Sequence, residues 1–185
     1  MSVTEANYLK NKVKSLAGNT QTIKSDFTQY KHIDFLSNDI ESKGKLTFKE
    51  PDQVKWEYTQ PYTYSIIFKD QTVYINDDGN KKNLDVGGNK LFERLNNLIA
   101  SSIRGDMFNT NEFDMEFFKD GDEQLVHFLP KDPQLSEFIN AFHIKFSKIG
   151  DVVEVKMIEP SGDYTQIVFS NRTTNQPLSD ADFSQ

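Results

Sequence analysis

The sequence contains no cysteine. That absence excludes a disulfide scaffold and a thiolate metal site, and it leaves the compartment open. Histidine is scarce. The three present, His32, His127 and His143, fall in no metal-ligand spacing, so neither a metal nor a cofactor is expected. His127 and His143 sit opposite apolar residues in alternating segments and read as solvent-facing. There is no G-x-S-x-G elbow and no cysteine nucleophile, so no catalytic residue can be named. "GGNK" at 87–90 is too short for a phosphate loop, and "NDDGN" lacks the Glu and spacing of a calcium loop. Asn171-Arg172-Thr173 matches a glycosylation acceptor, a motif that recurs by chance.

Basic residues are outnumbered, 21 against 28, for a net charge of -7. That argues against nucleic acid, whose phosphates need clustered Lys and Arg. It argues equally against standing attachment to an anionic membrane. Plain solubility accounts for the charge as well as any function does. No run approaches the length of a membrane span. "MSVTEANYLKNKVKSL" has no apolar h-region, so the expectation is a cytoplasmic protein or one whose leader has been removed.

Apolar residues are also few, at 36% with a mean hydropathy of -0.63. Those present are aromatic: 15 Phe against 12 Leu. A chain of 185 residues is expected to form a single domain across 1–185, large enough to bury a core.

Residues 4–18 read as a helix, with Tyr8, Leu9, Val13 and Leu16 at helical spacing and Gly18 as a stop. From Thr22 the period becomes two, and "IKSDFTQYKHIDF" looks like a strand. Leu46 and Phe48 share one face, as do Val54, Trp56 and Tyr58. Pro51-Asp52 between these runs is turn chemistry, so they should pair as a hairpin. "YSIIF", "QTVYIN" and "KKNLDV" follow as strands. Residues 89–104 form the clearest amphipathic helix, with Leu91, Phe92, Leu95, Leu98, Ile99 and Ile103 in one stripe and Gly105 after it. Period two then returns in "EFDMEFF", "QLVHFLP" and "AFHIKFSK", where Phe142, Ile144 and Phe146 align. A short helical turn fits Pro133 to Ile139. A hairpin about "PSGD" aligns Val153, Val155 and Met157, and the polar tail ends in one aromatic anchor, Phe183. Roughly ten strands joined by tight turns make an antiparallel meander that must curl or close. Such a sheet can pack its aromatic face into a solid core, or leave a cavity that a helix covers.

"SKGKLTFKEPDQVKWEYTQPYTYSIIFKDQTVYINDDGN" resembles the outer-membrane lipoprotein carrier (LolA) family. The resemblance rests on Phe27 and Gln29, Gly44 with Leu46 and Phe48, Pro51, Trp56 and Pro61. The helix at 89–104, "MIEPSGDYTQIVFSN" and the terminal Asp180 to Phe183 add to it. It spans nearly the whole chain. It implies a mainly β (α+β) fold, an incomplete antiparallel β-barrel of about eleven strands with an α-helical lid over a hydrophobic cavity. It implies a periplasmic, monomeric carrier of acylated lipoproteins and no enzyme. Its implied partners are an inner-membrane ATP-driven release complex and an outer-membrane receptor.

The lining would then come from Phe27, Leu46, Phe48, Val54, Trp56, Tyr58, Ile66 and Phe68, with Phe142, Ile144 and Phe146 from later strands. Leu95, Leu98 and Ile99 would face it from the lid. Glu50, Pro51, Leu9 and Val13 would belong to the lid and gate. The family's usual Arg before the turn proline is replaced here by Glu50, which cannot donate to helix carbonyls when ionised. Its Asp-Gly turn is altered to Asp70-Gln71. The prolines are expected to end edge strands and block pairing with another chain. Two other readings stay open: a carrier of another amphiphile, such as a glycolipid or polyene intermediate, and a solid β interaction module.

Overall fold

Alternation of dry and wet side chains favours strands, and Gly, Asn and Asp between them favour tight turns. The computed structural model describes residues 1–70, 72–85 and 107–184. The strands are β1 (Thr22–His32), β2 (Ile40–Lys49), β3 (Gln53–Gln60), β4 (Tyr64–Lys69), β5 (Thr72–Asp77) and β6 (Asn80–Asp85). After these come β7 (Phe113–Asp120), β8 (Glu123–Pro130), β9 (Ala141–Phe146), β10 (Val152–Ile158) and β11 (Tyr164–Thr174). Among the described residues the helices are α1 (Val3–Ala17) and the single turn α2 (Pro133–Ser136), with a 3-10 turn at Asp180–Phe183.

All eleven strands belong to one open antiparallel sheet, in the order β6-β5-β4-β3-β2-β1-β11-β10-β9-β8-β7. The chain runs outward from β1 to β6, restarts at β7, and returns to lay β11 beside β1. The sheet does not close on itself among the described residues. This is the mainly β, incompletely closed architecture expected above. The helix expected at 89–104 lies outside the described residues.

Three local expectations are corrected, and a fourth, α1, keeps its helix and its Gly18 stop with Tyr8 turned to water. Pro51 and Pro61 stand in the turns flanking β3, an interior strand, because the sheet ends at β6 and β7. They terminate strands without guarding an edge. β1 stops at His32, so Ile33 to Phe35 leave the sheet and Phe35 is 84% exposed. Val155 and Met157 pair with Ile144 and Phe142, but a bulge between Val152 and Glu154 takes Val153 out of that alignment. In α1, Leu9 and Val13 are buried while Tyr8 is exposed, and Gly18 ends the helix in right-handed conformation.

Two compact units divide the chain. The first comprises Met1–Asn19, Gln29–Glu41 and Arg104–Val168 so far as these are described. Its helix α1 opens on a capping box, in which Ser2 Oγ accepts from the Glu5 amide and Glu5 accepts from the Ser2 amide at 2.8 Å. The helix is fastened to β7 at its start and to the β9–β10 loop past its middle. The Met1 ammonium donates to the Phe117 carbonyl at 2.9 Å, and Lys12 donates to the Lys148 carbonyl. Gly150, at φ +96°, lies against Lys12 and Val13; a Cβ there would stand 3.2 Å from the Lys12 chain. Beneath lies a phenylalanine cluster. Phe108 packs on Phe117, Phe128 and Phe146, and Phe113 meets Phe128 and Phe142 edge-on.

The second unit comprises Thr20–Thr28, Ser42–Ile103 and Phe169–Gln185 so far as these are described. One face of β2–β5 carries the aromatic residues. On the other face, Ile67 is fully buried although its neighbours in register are Lys55 and Tyr74. The C-terminal 3-10 turn explains this. It packs on β3 and buries Phe183, and Lys55 donates to the Ser184 carbonyl. Lys24 pairs with Asp182 at 2.9 Å and Lys49 with Asp180 at 3.8 Å. Phe183 thus serves as the expected aromatic anchor.

Candidate functional site

In an antiparallel pair, residues directly opposite share a face, so the register writes out the aromatic wall rung by rung. One rung is Phe48–Val54–Phe68–Val73. The next is Leu46–Trp56–Ile66–Ile75. The third is Gly44–Tyr58–Tyr64–Asp77. The first rung is buried throughout, with Val54 and Val73 at 0% exposure. In the second, Leu46 and Trp56 are buried while Ile66 and Ile75 are half-buried. In the third, Tyr58 and Tyr64 are half-buried and Asp77 is exposed. The wall therefore grades from dry to polar along the strand direction.

Phe27 of β1 is the hub of the ring contacts. It meets Trp56 edge-on at 5.0 Å and Tyr58 at 5.2 Å between centroids. Trp56 also faces Phe169 at 6.2 Å, and Tyr58 neighbours Tyr62 and Tyr64. Gly44 makes room for the hub. A Cβ at this position would collide with the Glu57 carbonyl oxygen and come within 2.5 Å of Phe27 Cζ. Burial pushes the Tyr58 hydroxyl up to about 12, with help from Tyr62 and then Tyr64. Burial also raises Tyr64, with Asp77 adding to it. Both phenols stay neutral across the physiological range.

Of the residues expected to line a site, Phe27, Leu46, Phe48, Val54, Trp56 and Phe68 are buried together on this wall; Tyr58 and Ile66 join it half-buried. Phe142, Ile144 and Phe146 align on one face as expected, but in the first unit, where Phe142 and Phe146 belong to the phenylalanine cluster. Leu9 and Val13 are buried in α1. Glu50 and Pro51 are exposed in the β2–β3 turn, where the Glu50 amide donates to the Gln21 carbonyl at 2.8 Å. Leu95, Leu98 and Ile99 lie outside the described residues.

The sequence pattern did not single out Val73 or Phe169. Val73 was legible from the alternation of "QTVYIN"; Phe169 needed the β1–β11 neighbourhood, which no local pattern carries.

The histidines form no metal site; no group of three His, Asp or Glu is placed to hold a cation among the described residues. His127 and His143 do sit opposite the apolar face, yet they stack on each other at 3.5 Å and are half-buried. Burial, then His127 and Lys156, lowers His143 to about 4. His32 hydrogen-bonds Asp39 at 2.7 Å and stacks on Tyr164.

Comparison with known proteins agrees with this architecture. The family model described as outer membrane lipoprotein carrier protein LolA matches residues 18–185. An outer-membrane lipoprotein carrier protein of Chromobacterium violaceum is 25% identical over 93% of this chain and 80% of that protein. One from Pseudomonas putida is 24% identical over 94% of this chain and 81% of its own length. Among solved structures, a chain of the Pseudomonas aeruginosa MucA/MucB complex superposes with a TM-score of 0.54 at 9% identity. That match covers 98% of this chain and 61% of that one. The Mycobacterium tuberculosis lipoprotein LppX superposes at 0.50 with 8% identity, covering 96% of this chain and 99% of that one. At such identities the two structures speak for the fold alone. The family match covers nearly the whole chain, and the chain accordingly belongs to the outer-membrane lipoprotein carrier (LolA) family, whose members are carriers and not enzymes.

Proposed function

We propose that the protein carries acylated lipoproteins through the periplasm, holding their acyl chains against the β2–β5 wall. It would take them from an inner-membrane ATP-driven release complex and deliver them to an outer-membrane receptor. The observation that carries this reading is the grading of the wall. A dry rung at Phe48, Val54, Phe68 and Val73 suits hydrocarbon, and a polar rung at Tyr58, Tyr64 and Asp77 suits the ester-bearing end of an amphiphile. The names of the relatives support the same cargo.

The energetics of such a carrier pose a matching problem. Each buried methylene contributes about 0.8 kcal/mol, so one acyl chain represents roughly 10 kcal/mol in a bilayer. The wall must offer a comparable surface for loading to occur, and not much more, or delivery stalls. No bond is made or broken by the protein, so the direction of transport is set by the donor complex. Phe142, Ile144 and Phe146 extend the apolar surface within their own unit, and Glu50 at the β2–β3 turn is the candidate gate residue.

The test is displacement. A fluorescent fatty-acid probe binds one to one, a triacylated peptide displaces it, and the same peptide without acyl chains does not. Trp56→Ala weakens the probe by about tenfold or more. Failure of the acylated peptide to compete, with a glycolipid or polyene competing in its place, would replace the cargo. Failure of every amphiphile would leave a solid β module.

A further inference from the structure

The loop between β1 and β2 places apolar side chains in water on a fixed base. Phe35 is 84% exposed, with Leu36 at 37% and Ile40 at 44% beside it. Alternation in the sequence reads Phe35 as part of a strand, yet the chain turns away first, closed by the Leu36 amide donating to the Ile33 carbonyl at 2.8 Å. The base is held by several bonds. His32 Nδ1 meets Asp39 at 2.7 Å, the Asp34 amide donates to the Asp163 carboxylate at 2.9 Å, and Tyr164 reaches Asp39. Lys31 pairs with Glu159 alongside. The tip, Phe35-Leu36-Ser37-Asn38, carries no charge.

We propose that this tip is a point of contact with a lipid surface of neutral headgroups. Size argues against a protein partner. A Phe with a partly exposed Leu presents on the order of 250 Å², and a specific protein interface needs about 800 Å² on each side. A soft interface asks for less, because a convex aromatic tip can enter between headgroups without a matching pocket. Charge sets the lipid class. Lys31 is paired with Glu159, His32 with Asp39, and Lys156 lies over the Tyr164 ring, while Asp34, Asp39, Asp163 and Glu159 give the tip's root more carboxylates than ammonium groups. The net charge of -7 repels an anionic surface. Two inserted side chains give weak, reversible contact. The inference concerns the tip alone and stands apart from the acyl-binding wall.

The experiment is co-sedimentation of the cargo-free protein with phosphatidylethanolamine–phosphatidylcholine vesicles. Wild type is expected to bind weakly, the Phe35→Ser/Leu36→Ser double variant to lose about fivefold or more, and Phe35→Trp to retain binding. Added phosphatidylglycerol is expected to weaken binding. The proposal is overturned if wild type does not sediment, if the double variant sediments equally, or if binding grows with anionic lipid. The fatty-acid probe must bind wild type and double variant alike. Loss of probe binding in both proteins speaks against the carrier reading, whereas unchanged sedimentation of the double variant speaks against the tip.

Discussion

A single methyl group at Gly44 would disturb the site more than most larger changes elsewhere. The added carbon of Gly44→Ala meets the backbone of β3 on one side and the Phe27 ring on the other, and neither can retreat without moving Trp56 or Tyr58. The variant is expected to lose about 1–3 kcal/mol, read as a lower urea midpoint, and to bind the fatty-acid probe more weakly. His143 makes a second prediction, in pH. Its folded value near 4 lies below the ordinary 6.5, so the unfolded chain binds the extra proton first. Stability therefore falls as pH drops from about 6.5 to about 4. His143→Gln should flatten that part of the melting-temperature profile. A wild-type profile level across the window would contradict the assignment.

The elements show how far a local pattern reaches. Strict alternation in "GKLTF" and "VKWEYT" made β2, β3 and their apolar faces legible, while the register that sets Leu46 opposite Trp56 is visible only in the sheet. That rule alone does not account for the buried Ile67, whose cover is the C-terminal turn, far along the chain. It also ran β1 on to Phe35, since alternation has no symbol for a strand that stops while apolar residues continue. The bulge before Glu154 is another such case, an extra residue that pattern alone does not register.

Helix α1 was legible in its buried stripe, while its capping box depends on Ser2 and Glu5 just outside that stripe. Ser2→Ala is expected to cost about 1 kcal/mol, measured as a fall in the thermal midpoint. Lys119, then Ser2, holds Glu5 down at about 2, so its contribution is present above its ordinary 4.5 and is lost as pH falls towards 2. Glu5→Gln should weaken the acid dependence of α1 helicity followed by circular dichroism.

At the scale of the molecule, order along the chain and order in the sheet differ at one place. β1 and β11, the first and last strands, are neighbours. That junction brings Phe169 to Trp56 and lets Ser25 donate to the Ser170 carbonyl at 2.8 Å. Family resemblance implied an incomplete barrel of about eleven strands and periodicity implied a long meander, and neither named the junction of β1 with β11. The aromatic wall is where the account is most exposed to test, and the chain's only tryptophan stands on its second rung. The direct measurement is quenching of Trp56 fluorescence by a triacylated peptide with brominated chains. The account predicts saturable quenching at one peptide per protein, absent with the deacylated peptide. A folded protein whose Trp56 emission ignores the brominated chains at every concentration would contradict it.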